Sequence, residues 1–317
     1  MIVTLTLNPS LDRTVEVKTF RRGGVLRTSA PMLEPGGKGV NVSRALAMNG
    51  TPSIAVLPVG GAEGAELGEL LDAAGVSARY VPVSGRTRSN LSVVERDGTV
   101  TKLNEPGSPL SASDLSVLAD VLAATVGADD WVVVSGSVPP RLSAEDFAGL
   151  VSSVGALGAS LAIDTSGDAL VASLAARPRL IKPNRAELAE VVGRPLDSIS
   201  EVIAAAEQLR SAGVERVLVS LGADGAVLVG ASGVIVGEST VVAPRNTVGA
   251  GDCFLAGFLS RFSVDETDES AALLEALAWG AAAAGLPGTS VPGPGDIARS
   301  NVQLVWQPDL DRPLVAT

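Results

Sequence analysis

Short runs of β-branched and aliphatic residues alternate with longer helix-patterned segments along most of the chain. That alternation confines it to an α/β fold, a mostly parallel sheet with helices on both faces. The spacing predicts core strands over residues 2–7, 54–59, 131–135, 161–164, 180–182, 217–221 and 226–229. It predicts helices starting near Gly39, Ala65, Ser113, Ser143, Arg185, Ile199, Ala250 and Ser270. Ser113 and Ser143 read as N-caps, each followed by an acid that suits the positive end of the helix dipole. Two stretches, 12–35 and 79–106, break the pattern. In the second, short strands near Tyr80–Val83, Leu91–Glu95 and Val100–Asn104 are punctuated by Asp97-Gly98, a strong hairpin signal. Together these stretches predict a small β-sheet lid over one end of a single domain, 1–317.

Composition removes several chemistries. The 317 residues include no histidine, which excludes Ser-His-Asp hydrolysis and imidazole proton shuttles, so an acid or base must be Asp, Glu, Lys, Tyr or Cys. A single cysteine, Cys253, forms no internal disulfide or thiolate cluster, and fits a reducing cytoplasm. A net charge of −11 opposes generic binding to nucleic acid or anionic membrane, so an anionic substrate needs a locally basic pocket. The first residues read as a buried strand rather than a signal peptide, and the longest apolar stretch, 276–286, is too short to span a bilayer.

Two glycine-rich segments carry the chemistry. Pro35-Gly36-Gly37-Lys38-Gly39-Val40-Asn41 opens a helix, where glycines allow close approach to the backbone and Lys38 and Asn41 add donors. It is no Walker A loop, because Gly39 follows the lysine. An ordinary turn before a helix would look the same. In Asn246-Thr247-Val248-Gly249-Ala250-Gly251-Asp252-Cys253, the small residues Gly249, Ala250 and Gly251 form a candidate anion nest, with Asp252 at its edge. An aspartate there also serves as a plain first-turn acid.

Both segments, in order and at this spacing, resemble the two signatures of the PfkB/ribokinase carbohydrate kinases. The resemblance extends through Leu7-Asn8-Pro9-Ser10-Leu11-Asp12, Asn104-Glu105-Pro106-Gly107, Ser135-Gly136-Ser137, Lys182-Pro183-Asn184-Arg185-Ala186-Glu187 and Ser220-Leu221-Gly222-Ala223-Asp224-Gly225. It therefore covers essentially the entire chain. The opening motif and Gly-Gly-Lys-Gly-Val-Asn are similar to the branch acting on phosphorylated ketohexoses. Thr101-Lys102-Leu103-Asn104-Glu105-Pro106-Gly107 most resembles its members that use fructose 1-phosphate, and Val25 stands where the fructose 6-phosphate users carry lysine.

The resemblance implies transfer of the γ-phosphoryl of ATP to a sugar-phosphate hydroxyl, with Asp252 as base. The implied acceptor is fructose 1-phosphate, with tagatose 6-phosphate and fructose 6-phosphate as alternatives. Asp12, Gly37, Lys38, Asn41, Arg88, Lys102, Asn104 and Ser137 are the implied substrate contacts. Lys182, Asn184, Ser220, Gly222, Gly225 and Thr247 are the implied ATP contacts. Asn184 and Glu187, one helical turn apart, would orient waters around Mg2+, although a helix cap would place them identically. Three of the only four lysines, Lys38, Lys102 and Lys182, fall in these motifs, which favours phosphate contacts over surface decoration. An exposed apolar patch on the lid predicts a homodimer formed lid to lid.

Two other classes stay open. A non-catalytic nucleotide or sugar-phosphate sensor would have no need of Asp252. A dinucleotide-dependent oxidoreductase has only Gly60-Gly61-Ala62-Glu63-Gly64 behind it, which lacks the GxGxxG spacing.

Overall fold

The computed structural model describes residues 1–240 and 248–315. In chain order, β1 (Ile2–Leu5), β2 (Ser10–Val17), β3 (Met32–Gly36), α1 (Lys38–Met48), β4 (Ser53–Val59), α2 (Gly61–Ala73) and β5 (Ala78–Pro82) come first. Next are β6 (Arg88–Glu95), β7 (Val100–Asn104), α3 (Ala112–Thr125), β8 (Trp131–Ser135), α4 (Ala144–Gly155), β9 (Ser160–Asp164) and α5 (Gly167–Ser173). They are followed by β10 (Leu180–Ile181), α6 (Arg185–Val192), α7 (Ile199–Ser211), β11 (Arg216–Ser220), β12 (Ala226–Gly230) and β13 (Gly233–Thr240). The last are α8 (Ala250–Phe262), α9 (Glu269–Ala284), α10 (Pro294–Ile297) and β14 (Asn301–Leu304).

Ten strands form the main sheet in the order β14-β13-β12-β11-β10-β9-β8-β1-β4-β5. From β11 to β5 all pairs are parallel, while β12, β13 and β14 add an antiparallel margin. The strands are apolar on both faces because helices cover both. Val132, Val134, Val217 and Val219 join the core under α3, α4 and α7, whereas Trp131, Val133 and Leu218 point to the core under α1, α8 and α9. No helix among the described residues is long and apolar enough to cross a membrane.

Four strands, in the order β3-β2-β6-β7, form the small second sheet. The expected lid strand at Tyr80–Val83 belongs elsewhere: residues 78–82 pair in parallel with β4 at the edge of the main sheet. There Val81 is buried, and Tyr80 packs beside α2 and donates to the Gly68 carbonyl. The lid portion of the second segment is thus β6 and β7 alone. The N-cap of α3 is Ser111 rather than Ser113, because its hydroxyl accepts from the Asp114 N–H in a reciprocal capping box. Ser143 caps α4 as expected.

Candidate active site

The parallel strands all end at one edge, and the chemistry-bearing residues lie there: Ser137 after β8, Asp164 ending β9, Lys182 after β10 and Ser220 ending β11. Ligands bind at such carboxyl edges in open α/β sheets because loops and helix N-termini converge on them. The second sheet leans over this edge, and Arg88, with which β6 begins, spans the gap between them. Its guanidinium donates to the carbonyl oxygens of Asn8 and Glu105 and to Ser137 Oγ at 3.2–3.3 Å.

Strand alternation sorts the lid. Register pairs Glu34 with Asp12, Asp12 with Asn90, and Asn90 with Asn104, while Lys102 pairs with Ser92. Asp12, Arg88, Asn90, Lys102 and Asn104 therefore share one face, with apolar Leu11 and Val93 buried on the other. Asp12 Oδ1 accepts from Ser10 Oγ at 2.7 Å and from Asn90 Nδ2 at 2.9 Å. Its position explains Gly36, since a Cβ there would overlap the Asp12 carboxyl group. Asn90 and Ser10 were not singled out in the sequence; the parity they share with Arg88 and Asp12 is the signal that identifies them. Lys102 and Asn104 are exposed on this face.

At the sheet edge the two glycine-rich segments meet. Gly249 caps α8 at φ 79°, a left-handed backbone that glycine adopts without strain, and turns the chain into the helix that carries Asp252. Asp252 is buried and accepts a 2.8 Å hydrogen bond from Asn41 Nδ2. Arg44 has only donors, and it holds the other amide atom, Asn41 Oδ1, at 3.1 Å. Arg44 also donates to the carbonyls of Pro35 and Thr289, so the amide is fixed from outside the site.

A second carboxylate lies beside Asp252, and sequence reasoning missed it. Asp164, fully buried, sits 3.0 Å from Lys38 Nζ and 3.4 Å from Lys182 Nζ through the same oxygen, Oδ1. Its Oδ2 is buried without a hydrogen-bond partner. Burial opposes its charge, but the two ammonium groups outweigh burial and hold Asp164 below the usual carboxylate range. Burial likewise opposes the charge of Lys38, and Asp164, Glu187 and Asp252 outweigh it, raising that ammonium above its usual range. Asp252 is pushed up to about 7, first by burial and then by the Asp164 charge, against the Asn41 hydrogen bond and the two lysines. Lys182 also stands beside the start of α8, with Nζ 3.6 Å from where a Cβ on Gly251 would be.

Asn184 and Glu187 form a reciprocal cap at the start of α6. Asn184 Oδ1 accepts from the Glu187 N–H, and Glu187 Oε2 accepts from the Asn184 N–H, each at 2.9 Å. The expected use of both side chains toward Mg2+ meets this geometry: the Asn184 oxygen is engaged, while Glu187 Oε1 faces Lys38 at 3.4 Å. Ser220 ends β11, and Gly222 and Gly225 lie in the turn to β12, where Gly225 packs directly against the Gly237 carbonyl. Thr247 lies outside the described residues.

A buried carboxylate at a glycine-bounded helix start, set at the carboxyl edge of a parallel sheet beside a second sheet with a polar face, is an arrangement suited to holding a phosphoryl donor and an acceptor together. A family model described as pfkB family carbohydrate kinase matches residues 5–294. A 1-phosphofructokinase of Rhodobacter capsulatus is 38% identical over 284 residues, covering 88% of this chain and 90% of that protein. An ATP-dependent 6-phosphofructokinase isozyme 2 of Escherichia coli is 37% identical, covering 89% and 90%. The crystal structure of phosphofructokinase-2 from Escherichia coli in complex with substrates and products superposes at a TM-score of 0.89, with 34% identity over 94% of this chain and 97% of that one. The chain belongs to the pfkB family of carbohydrate kinases. It is an enzyme, and ATP is one of its substrates.

Proposed function

We propose that the protein transfers the γ-phosphoryl group of ATP to the C6 hydroxyl of fructose 1-phosphate, giving fructose 1,6-bisphosphate and ADP. The observation that carries this reading is the buried Asp252 carboxylate, oriented by Asn41 at the start of α8. Asp252 takes the acceptor's proton as the hydroxyl oxygen bonds to phosphorus and the bond to the ADP oxygen breaks. A carboxyl group poised near 7 suits that role at neutral pH. The N–H groups of Gly249, Ala250 and Gly251 face the charge spread over the transferring group.

Arg88 and Ser137 hold the acceptor's phosphate, with Lys102 and Asn104 on the same lid face adding charge and donors at that end. Asp12 and Gly37 receive the sugar hydroxyls. Lys38, anchored on Asp164 and Glu187, adds a cation for the acceptor, and Lys182, also anchored on Asp164, serves the nucleotide phosphates with Asn184, Ser220, Gly222 and Gly225. The unpartnered Asp164 Oδ2 and the Glu187 carboxylate fit Mg2+, which takes one or two carboxylates and fills its shell with water and phosphate oxygens. When bound, that ion neutralises charge on the β- and γ-phosphates.

Fructose 1-phosphate is favoured by the lid sequence around Lys102 and by the relatives named for that substrate, such as the one from Rhodobacter capsulatus. The relative named 6-phosphofructokinase, nearly as similar, supports fructose 6-phosphate as the second reading. Coupled ADP-release assays on fructose 1-phosphate, fructose 6-phosphate and tagatose 6-phosphate test this. Fructose 1-phosphate is expected to have the highest kcat/KM by at least about tenfold. A higher value for either 6-phosphate overturns the acceptor assignment and leaves the kinase.

A further inference from the structure

The family match ends at residue 294, and the chain beyond it runs back across the molecule to the turn between β11 and β12. This tail is stitched to the start of α7: the Ser200 N–H donates to the Leu310 carbonyl at 2.9 Å and the Leu314 N–H to the Asp197 carbonyl at 2.8 Å. It ends on Asp224, a buried carboxylate in the turn that holds Gly222 and Gly225. Arg312 Nη1 donates to Asp224 Oδ1 at 2.9 Å, and the Val315 N–H donates to Asp224 Oδ2 at 2.7 Å. Both oxygens of the carboxylate are thus taken by the tail. The second guanidinium nitrogen of Arg312 reaches Glu238 of β13 at 3.6 Å, the strand against which Gly225 packs.

We infer that Arg312 is a positioning residue for ATP: its ion pair with Asp224 holds the Gly222-to-Gly225 turn in its nucleotide-binding shape. This rests on the proposed assignment of that turn to ATP. Glycines give the turn its close backbone approach but also its freedom, since a glycine-rich segment has many conformations to lose. The fit of Gly225 on β13 fixes one side of the turn and Asp224 fixes the other. Without Arg312, a buried carboxylate keeps only one neutral donor, and the turn relaxes to bring that charge to water. The guanidinium contacts of Arg312 go to protein carboxylates, Asp224 and Glu238, so its effect is exerted through the turn and falls on ATP binding rather than on the acceptor.

Steady-state kinetics on the full chain test this, with thermal melts to verify folding. Arg312→Ala is expected to raise the KM for ATP about tenfold, as expected for loss of a charged hydrogen bond, with acceptor KM and kcat within about twofold. Arg312→Lys, which keeps a point charge without the fork, is expected to recover most of the loss. Gly222→Ala serves as the reference: its Cβ would meet nothing within 4 Å, but at φ 62° the alanine strains the turn itself and so reports directly on whether the shape of that turn matters to ATP. If Gly222→Ala raises the KM for ATP and Arg312→Ala does not, the positioning role is overturned and the nucleotide turn stands. If neither changes it, the nucleotide assignment fails and takes the positioning role with it. Equal rises in both Michaelis constants for Arg312→Ala show a general structural role and also overturn the inference.

Discussion

Asn41 Nδ2 donates to Asp252 Oδ2 at 2.8 Å across 211 positions of sequence, joining the first glycine-rich segment to the second. The bond aims the carboxylate, and its partial positive charge only partly offsets the burial and the Asp164 charge that push Asp252 up to about 7. Asp252→Asn preserves shape and loses the base, so turnover is expected to fall by about 10²–10⁴ with Michaelis constants little changed. In the wild type, kcat/KM is expected to fall as pH drops through about 7, because the base must be ionised to accept a proton. Near-native turnover in the variant, or a wild-type profile flat from pH 6 to 8, removes Asp252 from that role.

The same raised value has a consequence for stability, with the opposite sign to the usual carboxylate. Between the unfolded value of 3.8 and the folded value of about 7, the folded chain holds a proton on Asp252 that the unfolded chain has released. Stability from this group is therefore complete below the unfolded value and is lost as pH rises toward the folded one. Asp252→Asn removes that penalty while keeping an acceptor for Asn41. Melting curves at pH 4 and pH 8 are expected to coincide with wild type at the acid end. At the alkaline end the variant is expected to melt higher by at least about 2 °C, the scale of roughly 1 kcal/mol in a large domain. A variant less stable than wild type at pH 8 contradicts this.

Asp164 connects the two lysines to the base. Asp164→Asn leaves Lys182 buried without its counter-ion, whereas Lys38 keeps Glu187. A destabilisation of about 3 kcal/mol is expected, the lower end for breaking a buried pair. The variant also removes the charge that repels ionised Asp252, so the acid limb of its pH profile is expected to move to lower pH. A limb that stays in place while activity falls would show that Asp164 acts only through the lysines.

Much of this was legible in the sequence because it depends on local pattern. Alternation located all seven predicted main-sheet strands, and the two glycine-rich segments located Asp252 and Asn41. Tyr80 was misplaced because a strand at the sheet edge and a strand in a lid carry the same short apolar signal; only pairing with β4 distinguishes them. β13 and β14 were missed because their half-exposed faces dilute the apolar run. Asp164 ends a strand outside the segments that carry the family resemblance, and its importance arises from Lys38 and Lys182, which reach it from remote positions. Such convergence is a property of the folded chain.

Arg88 begins a lid strand yet touches the main sheet through Ser137. Replacing the neutral carbonyl and hydroxyl oxygens it now binds with phosphate oxygens adds an anionic acceptor to a cationic donor, in a planar fork suited to two oxygens. Arg88→Ala is expected to raise the KM for the sugar phosphate by at least about tenfold while leaving that for ATP within about twofold. Equal effects on both substrates in initial-rate assays would mark Arg88 as a structural tie between lid and body.

The lid also exposes apolar side chains on its margins. Leu103 is 53% exposed, Met32 43% and Val100 41%, with Val25 at 96% in the connection between β2 and β3. A four-stranded sheet is thin, and these side chains, left uncovered at its margins and in the β2–β3 connection, gain burial only against another surface. The proposed partner is a second copy, because a twofold pairing of lids would bury the patch on both subunits at once. Sedimentation at micromolar concentration is expected to give a dimer, and Leu103→Glu with Val25→Glu is expected to shift it to monomer without lowering the melting temperature of the monomer fold. A monomeric wild type at that concentration, or a dimer insensitive to both lid charges, places any assembly surface elsewhere.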